Sequence, residues 1–296
     1  MKDKLHRLVI IVLALVLVVS AGMVFSQWLE NKRARDEYNR LAELASQTSQ
    51  ETGTTEAESV EAPETEPETE PYISPIDFDA LRAENPDTIG WITIDGTNIN
   101  YPIVQGTDND FYLNHDFNGQ ENIAGAIYLD FESQGDFDGR NNIIYGHNMK
   151  NGSMFKDVVK YKDEAYFKEH QFFTIYTPER EIRLKSVAAY YGEAKPIVRK
   201  TRFKSQESFD AFVKEMLSPC TYAEPVQYPA RTLYTLVTCS YEIDDARTFL
   251  FAVEVDEDGN EIPPDEEFQE RQMNLVRRHA ERQANQETVE NDVNKK

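Results

Sequence analysis

Cysteine is nearly absent: the chain of 296 residues has two, Cys220 and Cys239. That excludes a disulfide-stapled scaffold. A Cys220–Cys239 bridge would silence the more informative of the two thiols, and Cys220 is read as a buried, inert one. Histidine and cysteine nowhere cluster with metal-ligand spacing, so no metal and no cofactor are expected. Basic charge is also scarce, with 31 Lys and Arg against 53 Asp and Glu and a formal net charge of -22. Nucleic-acid binding calls for a basic surface and is excluded as a function class. One long uncharged apolar run occurs, Leu8 to Phe25, behind Lys2, Lys4 and Arg7.

That run is long enough for a bilayer, which takes roughly 20 apolar residues. It exceeds the roughly 7–15 residues of a signal-peptide core, so an uncleaved anchor is favoured over cleavage near Val19-Ser20-Ala21. Basic residues flank both sides, and the orientation taken is N-terminus inside. Asn31 to Ala45 continues as a polar helix, with Tyr38, Leu41, Leu44 and Ala45 at helical spacing, and is read as a stalk. From Ser46 to Pro71 the chain turns to Ser, Thr and Glu-Thr-Glu-Pro repeats without a basic residue. Such a segment is expected to be a self-repelling, disordered linker. The boundaries follow: 1–28 a cytoplasmic stub and anchor, 29–71 stalk and linker, 72–257 the folded domain, 258–296 an extension.

Within the domain many short β-prone runs alternate with turn signals. Gly90 to Ile94 and Ile99 to Val104 flank Asp95-Gly96, a hairpin signal. Pro102 in the second run suggests an edge or a bulge. Further strands are expected at Gly125 to Phe131, Asn142 to Tyr145, Phe172 to Thr177, Glu181 to Tyr191, Thr232 to Val237 and Thr248 to Val255. Short helices are expected at Ile76 to Asn85, within Asp108 to Phe117, and at Lys156 to Tyr161 and Glu164 to Glu169. Ser205 to Leu217 is the clearest helix, capped by Ser205 and with Phe209, Phe212, Val213 and Met216 on one face. The fold class is mainly β: a closed barrel with short helices and one longer inserted helix, behind an N-terminal transmembrane helix. Glu266 to Ala284 reads as a surface helix followed by a frayed tail.

The chemistry gathers where two strands end. Thr235-Leu236-Val237-Thr238-Cys239-Ser240 ends one run, and Arg247 opens the next after a short loop. Upstream, Ile143-Ile144-Tyr145-Gly146-His147-Asn148 repeats the pattern of strand, then functional side chain. Thiol, imidazole and guanidinium are the parts that acyl transfer through a thioester needs. A buried structural thiol, a loop histidine and a solvated turn charge are the ordinary readings of each alone. His6, His115, His170 and His279 lack such a setting and are read as surface or packing residues.

With these residues in view the chain resembles a class B sortase, a cysteine transpeptidase of Gram-positive bacteria. The Thr-Leu-x-Thr-Cys box is Thr235 to Cys239, the histidine box is Tyr145-Gly146-His147, and the arginine is Arg247. Gly90-Trp91-Ile92, Tyr101 to Gln105 and Asn109 to Phe117 look like the class B opening, and the helix Ser205 to Leu217 lies where class B members carry an insertion. The resemblance covers about Tyr72 to Val255. It implies a sortase-type barrel on a membrane anchor, with the catalytic domain extracellular. It implies that Cys239 attacks a sorting signal after threonine and forms a thioester. His147 would serve as acid and base, and Arg247 would hold the oxyanion or the substrate backbone. Partners would be surface proteins with a C-terminal sorting signal and a peptidoglycan precursor amine of the lipid II type. Substrate contacts would come from Asn109 and Leu113, with Ile197 and Val198 on the opposite wall and Thr238 and Ser240 beside the nucleophile. A pilus-polymerising sortase is an alternative. A non-catalytic adhesion module is another. A papain-type protease is disfavoured because His147 precedes Cys239.

Overall fold

A computed structural model describes residues 2–46, 72–193, 196–239 and 246–278. The acidic segment read as a linker, apart from Ser46, lies outside the described residues, as does everything after 278. Nine strands run in chain order: β1 (Thr88–Thr93), β2 (Asn100–Val104), β3 (Ile127–Leu129), β4 (Asn141–Tyr145), β5 (Phe172–Tyr176), β6 (Glu181–Glu193), β7 (Tyr222–Ala223), β8 (Leu233–Cys239) and β9 (Ala246–Glu254). Around the barrel the order is β5-β1-β2-β3-β4-β8-β9-β6, and β6 pairs with β5 to close the ring. The two-residue β7 is appended to β6. Two neighbouring pairs are parallel, β2 with β3 and β4 with β8, and the others are antiparallel. Eight strands in a closed ring leave an interior that side chains fill. Pro102 is tolerated because β3 pairs only with Ile103 and Val104, so its missing N–H costs no ladder bond.

Alternation along the strands separates two apolar clusters. On β8, Tyr234 and Leu236 belong to the barrel interior, while Leu233 and Val237 belong to a second cluster outside it. On β9, Leu250 and Ala252 point with the first set, and Phe249, Phe251 and Val253 with the second. Burial on both faces explains why these strands read as almost unbroken apolar runs. The second cluster is roofed by a helix at Gln206–Leu217, where Ser205 caps Ser208 N–H in a reciprocal box. Phe209, Phe212, Val213 and Met216 are buried beneath it, as the helical spacing predicts.

Counting helices in chain order, α1 spans Lys2–Ser46, α2 Phe78–Glu84, α3 Phe111–Asn114, α4 Glu164–Glu169, and α5 is the roofing helix. Its apolar part makes α1 the one helix among the described residues that is long and apolar enough to cross a membrane. The segment read as a stalk does more than extend from the barrel. Ala34, Tyr38, Leu41 and Ala45 are buried in the first cluster. Arg40 reaches Glu84 of α2 through two bonds of 2.6 and 2.8 Å, and the Asp77 N–H donates to the Ala45 carbonyl. The packed unit therefore includes residues well before Tyr72. At the other end, a helix at 266–278 is docked through Phe268, which is fully buried, with the guanidinium carbons of Arg231 and Arg140 at 4.5 and 5.4 Å from its ring centre. Gln272 Nε2 donates to the Asp138 carbonyl at 2.6 Å. The expectation of a surface helix missed this because one aromatic residue carries the contact.

Candidate active site

Strand register builds the site. β4 runs parallel to β8 with Tyr145 opposite Val237, and Gly146 N–H donates to the Val237 carbonyl at 3.1 Å. His147 lies two residues past Tyr145 and Cys239 two past Val237, so both leave neighbouring strands at one rim. On the other side of β8, Cys239 is paired directly with Arg247 of β9. The three sequence-predicted positions are thus consecutive across three adjacent strands. Ser240 lies outside the described residues, as does the loop up to Asp245.

The residue before His147 has to be glycine. A Cβ on Gly146 would come within 2.5 Å of Ile127 Cδ1 and 2.6 Å of Phe155 Cγ. This close approach lets the chain leave β4 across the barrel rim. Beyond it, the His147 carbonyl accepts from Phe155 N–H at 2.9 Å. His147 is half-buried, and its Nε2 lies 2.7 Å from the Leu113 carbonyl oxygen. A carbonyl only accepts, so Nε2 carries the hydrogen and Nδ1 is left for proton traffic. Arg247 is half-buried, with Nη1 donating to the Ala246 carbonyl at 3.2 Å.

The expected substrate contacts divide. Asn109 is committed to the protein: Nδ2 donates to Asp130 Oδ2 at 2.8 Å, and Oδ1 accepts from Phe131 N–H at 3.1 Å. Leu113, on α3, holds His147 through its backbone and keeps its side chain 37% exposed. Ile197 is also 37% exposed, whereas Val198 is 5% exposed and sits in the second cluster. Of that pair, Ile197 is the one with surface to offer. Thr238 is buried and opposite Thr248. His115 and His170 stack on Phe111 and Tyr166 and are packing residues. Cys220 sits beyond α5, Sγ 3.4 Å from the Met216 carbonyl oxygen, packed against the second cluster.

Asp130 was not singled out in the sequence. It is fully buried just past β3 and ties three segments together. Its Oδ2 accepts from Asn109 Nδ2 and from Tyr145 OH at 2.9 Å, and it pairs with Arg199 Nε at 3.5 Å. Its Oδ1 accepts from Glu132 N–H at 2.9 Å. Burial first, and the Asp130 carboxylate second, push the Tyr145 phenol above its ordinary value and keep it a neutral donor. The available signal was a carboxylate closing the apolar run Ile127-Tyr128-Leu129, since a buried charge needs partners. Asp130→Asn cannot satisfy Glu132 N–H and the three donors on the other oxygen together. One of these groups loses its acceptor, at roughly 1–3 kcal/mol. The thermal midpoint is expected to fall by about 2–10 °C and KM for a peptide substrate to rise, with kcat within about threefold. An unchanged midpoint and KM would show that neither the packing of these segments nor the expected substrate contact at Asn109 depends on this carboxylate.

No family model matches the chain. Over 165 residues it is 34% identical to Sortase B of Listeria monocytogenes, a stretch that makes up 55% of this chain and 67% of that protein. The structure is similar to that of Clostridium perfringens sortase B, with a TM-score of 0.58 at 34% identity, covering 61% of this chain and 100% of that one. Sortase B from B. anthracis in complex with AAEK1 aligns with a TM-score of 0.64 at 26% identity, covering 78% of this chain and 100% of that one. A chain that is 34% identical to one sortase B over two thirds of that protein's length, and shares the barrel of others, belongs to the class B sortases, a family of cysteine transpeptidases.

Proposed function

We propose that the chain is a membrane-anchored sortase that cuts the sorting signal of a surface protein after threonine and passes the acyl group to an amine of a cell-wall precursor. Cys239 gives its thiol proton to His147 Nδ1, its sulfur attacks the threonyl carbonyl carbon, and a tetrahedral oxyanion forms with Arg247 as its donor. The C–N bond breaks, and the leaving amine takes a proton from His147 Nδ1. The acceptor amine then attacks the thioester, gives a proton to His147, and releases Cys239 as a new amide forms. The Leu113 carbonyl keeps the Nε2 hydrogen engaged throughout, so one nitrogen serves both proton transfers.

The observation that carries this reading is the register: Cys239 is paired with Arg247 on one side, and on the other Val237, two residues before it, is paired with Tyr145, two residues before His147. The apolar part of α1 is long enough for a single-pass anchor; the catalytic domain is taken to lie outside, where surface proteins and cell-wall precursors are. As one helix of 45 residues, at about 1.5 Å per residue, α1 is roughly 68 Å long, more than twice the roughly 30 Å hydrocarbon core.

The test is to incubate the full-length chain in detergent with a small library of Pro-x-Thr peptides, with and without acceptor amines such as glycine and diaminopimelate-type peptides. Cleavage after threonine and an amide to the added amine are expected. Hydrolysis alone across every acceptor would count against transpeptidation. Turnover unaffected by Cys239→Ala would remove the nucleophile.

A further inference from the structure

Helix α1 reaches the histidine through a single peptide unit. Tyr38, buried on the docked part of α1, donates its hydroxyl to the Gly125 carbonyl at 2.8 Å. The other end of that peptide, Ala126 N–H, donates to the Tyr112 carbonyl at 3.0 Å. Gly125 has φ +57°, and a Cβ there would lie 2.7 Å from the carbonyl oxygens of both Tyr112 and Leu113 and 3.1 Å from His147 Cδ2. The space beside the Gly125 α-carbon is thus closed off by the imidazole ring and by the carbonyl that orients that ring.

A second route ends on the same loop. The Tyr38 ring meets Tyr101 edge-on at 5.2 Å. Tyr101 OH accepts from Met154 N–H at 3.0 Å, and Met154 bridges to Asn148, the residue after His147. One side chain of α1 therefore braces the His147 loop from the ring side and from the backbone side.

We propose that Tyr38 is a positioning residue for His147, so that the docked anchor helix forms part of the working site. The inference rests on reading His147 as the acid and base of the reaction. Without the Tyr38 hydroxyl, the Gly125 peptide loses one of its two grips, and the Leu113 carbonyl and the ring shift together. A misplacement of about 1 Å can cost roughly 10²-fold in rate. A looser peptide is expected to cost less, about tenfold in kcat, with KM within about twofold because the other expected substrate contacts, Asn109 and Ile197, lie on segments that Tyr38 does not hold.

The experiment compares Tyr38→Phe with Arg40→Gln in the full-length chain, using the Pro-x-Thr peptide that the wild type cleaves fastest. Arg40 fastens the same helix to Glu84 and has no contact with Gly125. The expected result is a kcat loss in Tyr38→Phe alone, although Arg40→Gln loosens the docking as well. Wild-type kcat in Tyr38→Phe overturns the proposal. So does an equal kcat loss in Arg40→Gln, which would make the effect one of docking only. Should Tyr38→Phe not fold, Tyr101→Phe releases the Met154 N–H on the other side of the loop; lowered kcat at constant KM supports the coupling, and unchanged kcat overturns it. His147→Ala in the same assay keeps the two readings separate. If it abolishes turnover while Tyr38→Phe is normal, only this inference fails; if it is active, the reading of the site fails.

Discussion

Arg247→Lys is expected to lower kcat/KM by roughly 10²-fold, the order seen when one oxyanion donor is lost. The substitution keeps the charge and removes the planar fork of donors, so it tests geometry. Arg247 is opposite Cys239 in the ladder, and its backbone position is fixed by pairing on both sides, to Cys239 of β8 and to Gly192 of β6. A lysine at that position sends one flexible ammonium to where a rigid pair of N–H groups stood. The alkylation rate of Cys239 at neutral pH should change much less, because a positive charge remains nearby. His147→Ala should reduce catalysis at least as far and also alter how alkylation depends on pH. Near-wild-type turnover in Arg247→Lys would remove the guanidinium from the mechanism and leave it a strand residue at the rim.

A chain begun at Tyr72 is expected to be markedly less stable than one begun at Asn31. The shorter chain loses Ala34, Tyr38, Leu41 and Ala45, all buried against the barrel, together with the Arg40–Glu84 bond. Leu41 is fully buried, and Leu→Ala changes at such sites cost about 2–5 kcal/mol, a large share of the roughly 5–15 kcal/mol that holds a domain. The expected difference in thermal midpoint is about 5–15 °C, read by circular dichroism. Leu41→Ala in the full-length chain should account for much of it. Equal midpoints for the two starting points would mean that the helix only rests on the barrel.

The sequence made some of this visible. The helical spacing of Phe209, Phe212, Val213 and Met216 announces α5 and its buried face. The strand-loop-strand pattern around Cys239 and Arg247 is local, so their pairing could be read directly. The spacing of Tyr38, Leu41 and Ala45 was visible too, but not the surface they cover, because that surface comes from strands and loops far along the chain. Asp130 was missed for a related reason: its partners Asn109, Tyr145 and Arg199 belong to three separate segments. The apolar positions of 266–278 are sparse, so the burial of Phe268 between two guanidinium groups is visible only in the fold.

The parallel pairing of β4 with β8 also governs when the chain becomes reactive. Tyr145 and Val237 are about 90 residues apart in sequence, and contacts of that span form late because loop closure precedes any gain from them. On the proposed reading of the site, a newly made chain carries Cys239 remote from His147 until this pairing forms. Asn141 guards the alignment: its Oδ1 accepts from Thr235 OH at 3.0 Å across the pair, and its Nδ2 donates to the Val198 and Lys200 carbonyls. A slip of one residue would turn β8 over, exchanging its interior and exterior faces. Tyr234 and Leu236 would leave the barrel and Cys239 would fall out of step with Arg247, so misregistered chains are both unstable and unreactive. If Cys239 is the nucleophile proposed above, proofreading of the fold and arming of the thiol are one event.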